Sequence, residues 1–111
     1  MNVTSTQFTL AGEPLDCLRL ECENELNSYT AVSLRNELTR YLKFEFPVFY
    51  IDAKDVKETD LSGINEIIHS HYTLAAANRK MVFVYRMGSE VERWVSTTGL
   101  DKFVATAILP A

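Results

Sequence analysis

Long apolar runs are missing from this chain. No stretch of its 111 residues approaches the roughly 18 to 20 consecutive apolar residues that a membrane span requires. The opening MNVTSTQF lacks the basic and apolar regions of a secretory signal, so the expectation is a cytoplasmic protein without membrane insertion. Cysteine is scarce: Cys17 and Cys22 both lie in LDCLRLEC, and there is no CxxC. Five residues apart on a strand, they face opposite sides, which disfavours a disulfide between them and makes each a small buried or half-buried hydrophobe. Histidine is limited to His69 and His71. Two apart on a helix, they point about 200° away from each other and cannot clamp one metal ion from one helix face.

Phosphate-cradling glycine motifs are absent too. With neither a Walker loop nor G-x-G-x-x-G, the chain is expected to carry no cofactor of its own, and any nucleotide would arrive with a partner. Positive charge is in deficit, with 11 Lys and Arg against 15 Asp and Glu, for a net charge of −4. The basic residues are scattered rather than striped, which argues against nucleic acid as a partner. No repeat, low-complexity tract or linker interrupts the chain, and its length fits a single domain over residues 1–111.

What is present is a regular alternation of patterns. TSTQFTL is β-prone, AGEP signals a turn, and LDCLRLEC reads as a second strand, together a hairpin. From Asn27 to about Lys43, Ala31, Leu34, Leu38, Tyr41 and Leu42 recur at helical steps, with Asn27 or Ser28 as N-cap. Pro47 precedes VFYIDA, an apolar run fitting a central strand covered on both faces; MVFVYR reads the same way. KDVKETD reads as a polar connection. Leu61, Ile64, Ile67, Ile68, His71 and Ala75 suit one face of a second helix over 61–77, with Asn78, Arg79 and Lys80 as its stop. Ser89 and Glu92 form a capping box that opens a third helix ending at Gly99, and VATAIL closes the chain as a strand. Beyond Gly99, Leu100 and Phe103 are expected to return to the core. Trp94, with Val91 and Val95 nearby, reads as a packing anchor. The order β-β-α-β-α-β-α-β implies an α/β fold, a mixed and mostly parallel sheet of four or five strands with three main helices.

In such sheets sites gather past the carboxyl ends of the strands, where helix N-termini converge. TDLSG falls there. Ser62 is at or just inside the start of the second helix, where a phosphoryl group adding roughly −1.5 to −2 charges is locally tolerated. The plainer reading is a cap or first-turn serine. Gly63, without a Cβ, would admit another backbone close by. Nucleophilic catalysis has little support, since both histidines lie about 10 Å or more along the same helix from Ser62. The carboxylates Asp52, Asp55, Glu58 and Asp60 are interleaved with Lys54 and Lys57 and match no calcium loop, so they read as a solvated acidic connection. No enzyme activity is expected.

Taken together, ENELNSYTAVSLRNEL, VFYIDAKDV, TDLSGINEII, KMVFVYR and SEVERWVSTTGLDKFV resemble, in that order, the STAS domain of sulfate transporters and anti-sigma factor antagonists, from Leu15 to Ile108. The resemblance implies a small α/β domain that works by partner switching. In phosphorylatable members the hydroxyl residue before the glycine of D-S-[ST]-G is modified by a serine kinase that is also the anti-sigma factor, and a phosphatase resets it. Carried over, that residue is Ser62, and the implied partner-binding residues are Asn27, Thr59, Asp60, Leu61, Gly63 and Asn65. Two positions depart from the pattern: the family's aspartate before the first helix is Asn27, and the first hydroxyl of the motif is Leu61. The alternative that the resemblance carries is an unmodified binding or scaffold subunit of a lipid or anion transport complex, or of a signalling complex.

Overall fold

The protein, seen here as a computed structural model, is described over residues 3–9 and 16–111. A five-stranded sheet runs in the order β1 (Val3–Thr9), β2 (Asp16–Leu26), β3 (Val48–Thr59), β4 (Lys80–Arg86), β5 (Ala105–Leu109). Only the β1–β2 pair is antiparallel; the other three are parallel. The connections are α1 (Ser28–Leu42), α2 (Leu61–Ala76) and α3 (Glu90–Thr98), the last followed by a short 3-10 turn at Leu100–Lys102. The expected hairpin is therefore present as a pair of strands, while its AGEP turn lies outside the described residues.

A sheet whose parallel strands follow in sequence order, joined by right-handed crossovers, receives all its helices on one side. One core cluster accordingly joins Leu34 and Leu38 of α1, Ile64, Ile67 and Leu74 of α2, and Val91 and Val95 of α3. Onto these pack alternate strand residues such as Leu18, Leu20, Phe49, Ile51, Phe83 and Tyr85. The strands are thus covered on one face, not on both as their apolar runs suggested. Along β3 and β4 burial alternates, and Tyr50, Val82 and Val84 on the far face are only half-buried. β-Branched and aromatic side chains suit a half-covered pleat as well as a fully covered one, so composition did not separate the two cases.

KDVKETD proves to be strand, not connection: β3 continues unbroken to Thr59, with Val56 and Thr59 turned inward. What carries it is the equally long β2, which pairs with it as far as Leu26 and Thr59. Register shifts at Glu21/Glu23 and Asn24/Glu25, with Asn24 at φ 63°, mark bulges that bend this extension, and asparagine tolerates that left-handed geometry.

The far face of the sheet is tied by ion pairs. Lys54 Nζ reaches Glu21 Oε2 at 2.6 Å, Asp52 Oδ2 at 3.1 Å and Asp55 Oδ2 at 3.6 Å; Arg19 adds contacts to Glu21 and Asp52, and Arg86 to Asp55. The acidic run thus divides: Asp52 is buried within this lattice, and Asp55 belongs to it, while Glu58 and Asp60 remain exposed. The hydrogen bond from Lys54 holds the Glu21 carboxyl below its ordinary range despite partial burial, and the same bond raises Lys54 above the usual lysine value. A depressed carboxylate stabilises above its unfolded pKa and loses that effect as pH falls through the folded value; a raised lysine stabilises below its unfolded pKa and loses it as pH rises past the folded one. Lys54→Met should therefore lower Tm at neutral pH, and the gap to the unaltered protein should close as the buffer is taken below the carboxylate range. Thermal melts by circular dichroism across pH 3 to 8 check this, and a gap independent of pH would contradict it.

Cys17 and Cys22 are both buried and not joined in a disulfide, and burial, with Asp52 and Glu21 nearby, pushes the Cys22 thiol up to about 12. Several helix-end expectations shift in detail. Ser89 Oγ accepts from the Glu92 amide, but Glu92 returns to the amide of Gly88, because the Ser89 amide already donates to the Arg86 carbonyl. Gly99 takes the left-handed conformation at φ 70° that ends α3. Asn78 does the same at φ 60° beyond α2, while Arg79 turns away to donate to the carbonyls of Leu42, the last residue of α1, and of Phe44 and Phe46 beyond it. Leu100 is fully buried, whereas Phe103 is exposed and stacks on Tyr72 beside His71. Trp94 packs against the core from a half-buried position.

Candidate functional site

Three helix N-termini meet at the carboxyl edge of the sheet, each opened by its own polar cap. Asn27 Oδ1 accepts from the amides of Tyr29 and Thr30 at 3.0 and 3.2 Å. Its Nδ2 donates to Glu25 Oε2 at 3.1 Å. The amide thus serves both neighbours, where an aspartate would lack the donor and set a second carboxylate against Glu25. Asp60 caps α2, its carboxylate accepting from the Gly63 amide at 2.9 Å. Glu25, Asn27, Glu58, Thr59, Asp60 and Glu90 line an open depression of about 430 Å³ between these helix starts.

With Asp60 as the cap, Ser62 is released from that task. It occupies the first turn of α2, is exposed, and its hydroxyl has no hydrogen-bond partner among the described residues. The motif residues on either side divide by direction. Thr59 is buried and its Oγ1 donates to the Leu26 carbonyl at 2.8 Å. Gly63 is buried against the same residue: a Cβ there would sit 2.0 Å from the Leu26 carbonyl oxygen and 2.6 Å from its carbon. The close approach that glycine permits is therefore to the protein's own β2, and neither Thr59 nor Gly63 presents a side chain to a visitor. Asp60, Leu61 and Asn65 are exposed, and Asn27 is half-buried.

The buried face of α2 also differs from the expected stripe. Ile64 and Ile67 are buried, but Leu61 is 50% exposed, Ile68 and His71 are half-buried, Ala75 is exposed, and Glu66, Ser70 and Leu74 point inward instead. Glu66 is admitted because Arg35 of α1 meets it with two contacts, Nη2–Oε1 at 2.5 Å and Nε–Oε2 at 3.4 Å, and this pairing raises the guanidinium pKa. Between the two helices runs a groove of about 420 Å³ whose walls include Val32, Arg35, Ser62, Asn65, Glu66 and His69. Tyr29, 85% exposed, Val32 and Leu61 bring apolar surface to the first turns on either side. Sequence reading missed Arg35, Glu66, Tyr29 and Val32. For the last two a signal existed, an apolar pair three apart on the polar side of the first helix. For the ion pair there was none, since its members lie on different helices.

Among the described residues no group of histidine, cysteine and carboxylate side chains is placed to hold a metal ion, and no helix is long and apolar enough to cross a membrane. The family model for the STAS domain matches residues 11–109. Comparison with curated proteins finds no match. Among solved structures, an anti-sigma factor antagonist from Mycobacterium paratuberculosis is similar with a TM-score of 0.73 at 19% identity, the match covering 98% of this chain and 86% of that one. A putative anti-sigma factor antagonist from Thermotoga maritima is similar with a TM-score of 0.66 at 22% identity, covering 81% and 77%. At these identities the two structures speak for the fold.

Proposed function

The chain belongs to the STAS-domain family, and from that membership we propose that it is an anti-sigma-factor-antagonist-like regulator, switched by phosphorylation of Ser62. Its partner in this reading is a serine-kinase anti-sigma factor, which the unmodified form binds and the phosphorylated form releases; a phosphatase restores the hydroxyl. The observation that carries the reading is the Ser62 hydroxyl, exposed at the first turn of α2 and not consumed as a cap. Asp60, Leu61 and Asn65, with Asn27 at the start of α1, supply the docking surface, and Tyr29 and Val32 extend it with apolar area. Thr59 and Gly63 act from behind by locking the start of α2 onto the end of β2. The protein itself needs no catalytic group, because the kinase brings both ATP and base.

Modification opposes docking through electrostatics. A phosphoserine carries roughly −1.5 to −2 charges at neutral pH, and it would be added beside a depression already lined by four carboxylates. Facing a partner surface fitted to a neutral hydroxyl, that charge would be desolvated with no compensating group on the partner. The test is to incubate the purified protein with the serine-kinase anti-sigma factor and ATP and map the product by mass spectrometry. A single phosphate on Ser62 is expected; a phosphate elsewhere, or none, overturns the reading.

A further inference from the structure

We propose that Arg35 is the internal receptor for a phosphate on Ser62, with the buried Glu66 holding the guanidinium in place. This rests on Ser62 as the modified residue and adds where the new charge goes. Arg35 and Ser62 line the same groove between α1 and α2. The Glu66 side chain is 3% exposed and that of Arg35 57%, so the carboxylate anchors the arginine from within while the guanidinium stays open to solvent. Arginine offers five donors in a planar fork. Nε and Nη2 are engaged by Glu66, and Nη1 makes no hydrogen bond among the described residues.

Helix geometry brings the two anions to the same cation. Ser62 is four residues before Glu66, which places the pair on one face about 5 to 6 Å apart at Cβ. Side chains on a helix lean toward its N-terminus, so the Glu66 carboxylate, and Arg35 with it, is carried toward the turn that bears Ser62. A phosphate there meets the outward donors of a guanidinium whose inner edge is already occupied. Lysine would not substitute well, since a point charge satisfied by Glu66 has no second planar edge to offer. The other titratable group lining the groove is His69 of α2. The consequence is a phosphate drawn across the groove beside Val32, so that the modified surface is altered in shape as well as charge.

The test installs phosphoserine at position 62 during translation of the full chain, without any kinase, in a His69→Gln background so that the imidazole does not contribute. Phosphorus NMR then follows the second ionisation of the phosphate. With Arg35 present it should fall at least about half a unit below its value in Arg35→Gln, as an opposite charge favours the dianion. Arg35→Lys should recover only part of that shift. Arg35→Gln with Glu66→Gln removes the uncompensated buried carboxylate, keeps the comparison among folded proteins, and should titrate between the Arg35 protein and Arg35→Gln alone, because guanidinium and like-charged carboxylate are lost together. Equal titration with and without Arg35 overturns the proposal. Because the phosphate is installed during translation and not by a kinase, a kinase that ignores Ser62 defeats the functional reading above and leaves this measurement interpretable, whereas an unchanged titration removes only the role of Arg35.

Discussion

Gly63→Ala is expected to destabilise the protein by about 3 kcal/mol, the upper end of ordinary overpacking costs, and so to lower Tm by roughly 12 to 20 °C for a domain of this size. The added Cβ would fall 2.0 Å from the Leu26 carbonyl oxygen and 2.9 Å from the Leu26 Cγ. Backbone cannot swing aside as a side chain does, and this carbonyl is held on its other side by the hydroxyl of Thr59. Relief requires the start of α2 to lift from the end of β2, which strains the Asp60 cap and displaces Ser62. Gly99 makes the useful control. Its added Cβ would meet only the Lys102 side chain at 3.6 Å, and the penalty there comes from φ 70°, a left-handed strain of about 1 to 2 kcal/mol. Chemical denaturation of both variants gives the comparison. A Gly63→Ala protein as stable as Gly99→Ala would mean that α2 does not press on β2 as closely as described.

Ser62→Asp is expected to weaken capture of the proposed serine-kinase anti-sigma factor on the order of 100-fold, while Ser62→Ala retains it. A charge that meets no counter-charge on the docked partner costs about 2 to 5 kcal/mol, mostly through faster dissociation, and the neighbouring depression lined by Glu25, Glu58, Asp60 and Glu90 adds like charge to the same surface. Alanine removes only an exposed hydroxyl that bonds to nothing among the described residues, so its effect should stay within severalfold. Neither substitution touches the core, and melts of the two variants should lie close together. Surface-plasmon measurements of each against the kinase give the ratio. Equal capture by both forms would sink the charge switch and leave a constitutive binding subunit of a transport or signalling complex as the better account.

The two outcomes separate the structural and chemical sides of one short motif. TDLSG looked uniform in sequence, a polar approach, a hydroxyl and a glycine. In the fold its members alternate in purpose: Thr59 and Gly63 hold Leu26, Asp60 caps the start of the helix, and Leu61 and Ser62 are left facing outward. Arg35 and Glu66 belong to the same site without belonging to the motif.

Element order, the three helix starts and the mostly parallel sheet were legible in the chain because they are written in local periods: helical spacing in Leu34 and Leu38, capping residues at Asn27 and Ser89, a glycine at position 99. Those signals act over a few residues, and local physics is enough to read them. The extension of β3 through KDVKETD, the uncovered far face of the sheet, the inward turn of Glu66 and the need for glycine at 63 were decided by the tertiary structure alone. Each depends on a partner distant in sequence: β2 beside β3, the placing of all three helices on one side, Arg35 across the groove, the carbonyl of Leu26. A residue's own neighbours carry no record of such contacts, and only the closing of the chain on itself determines them.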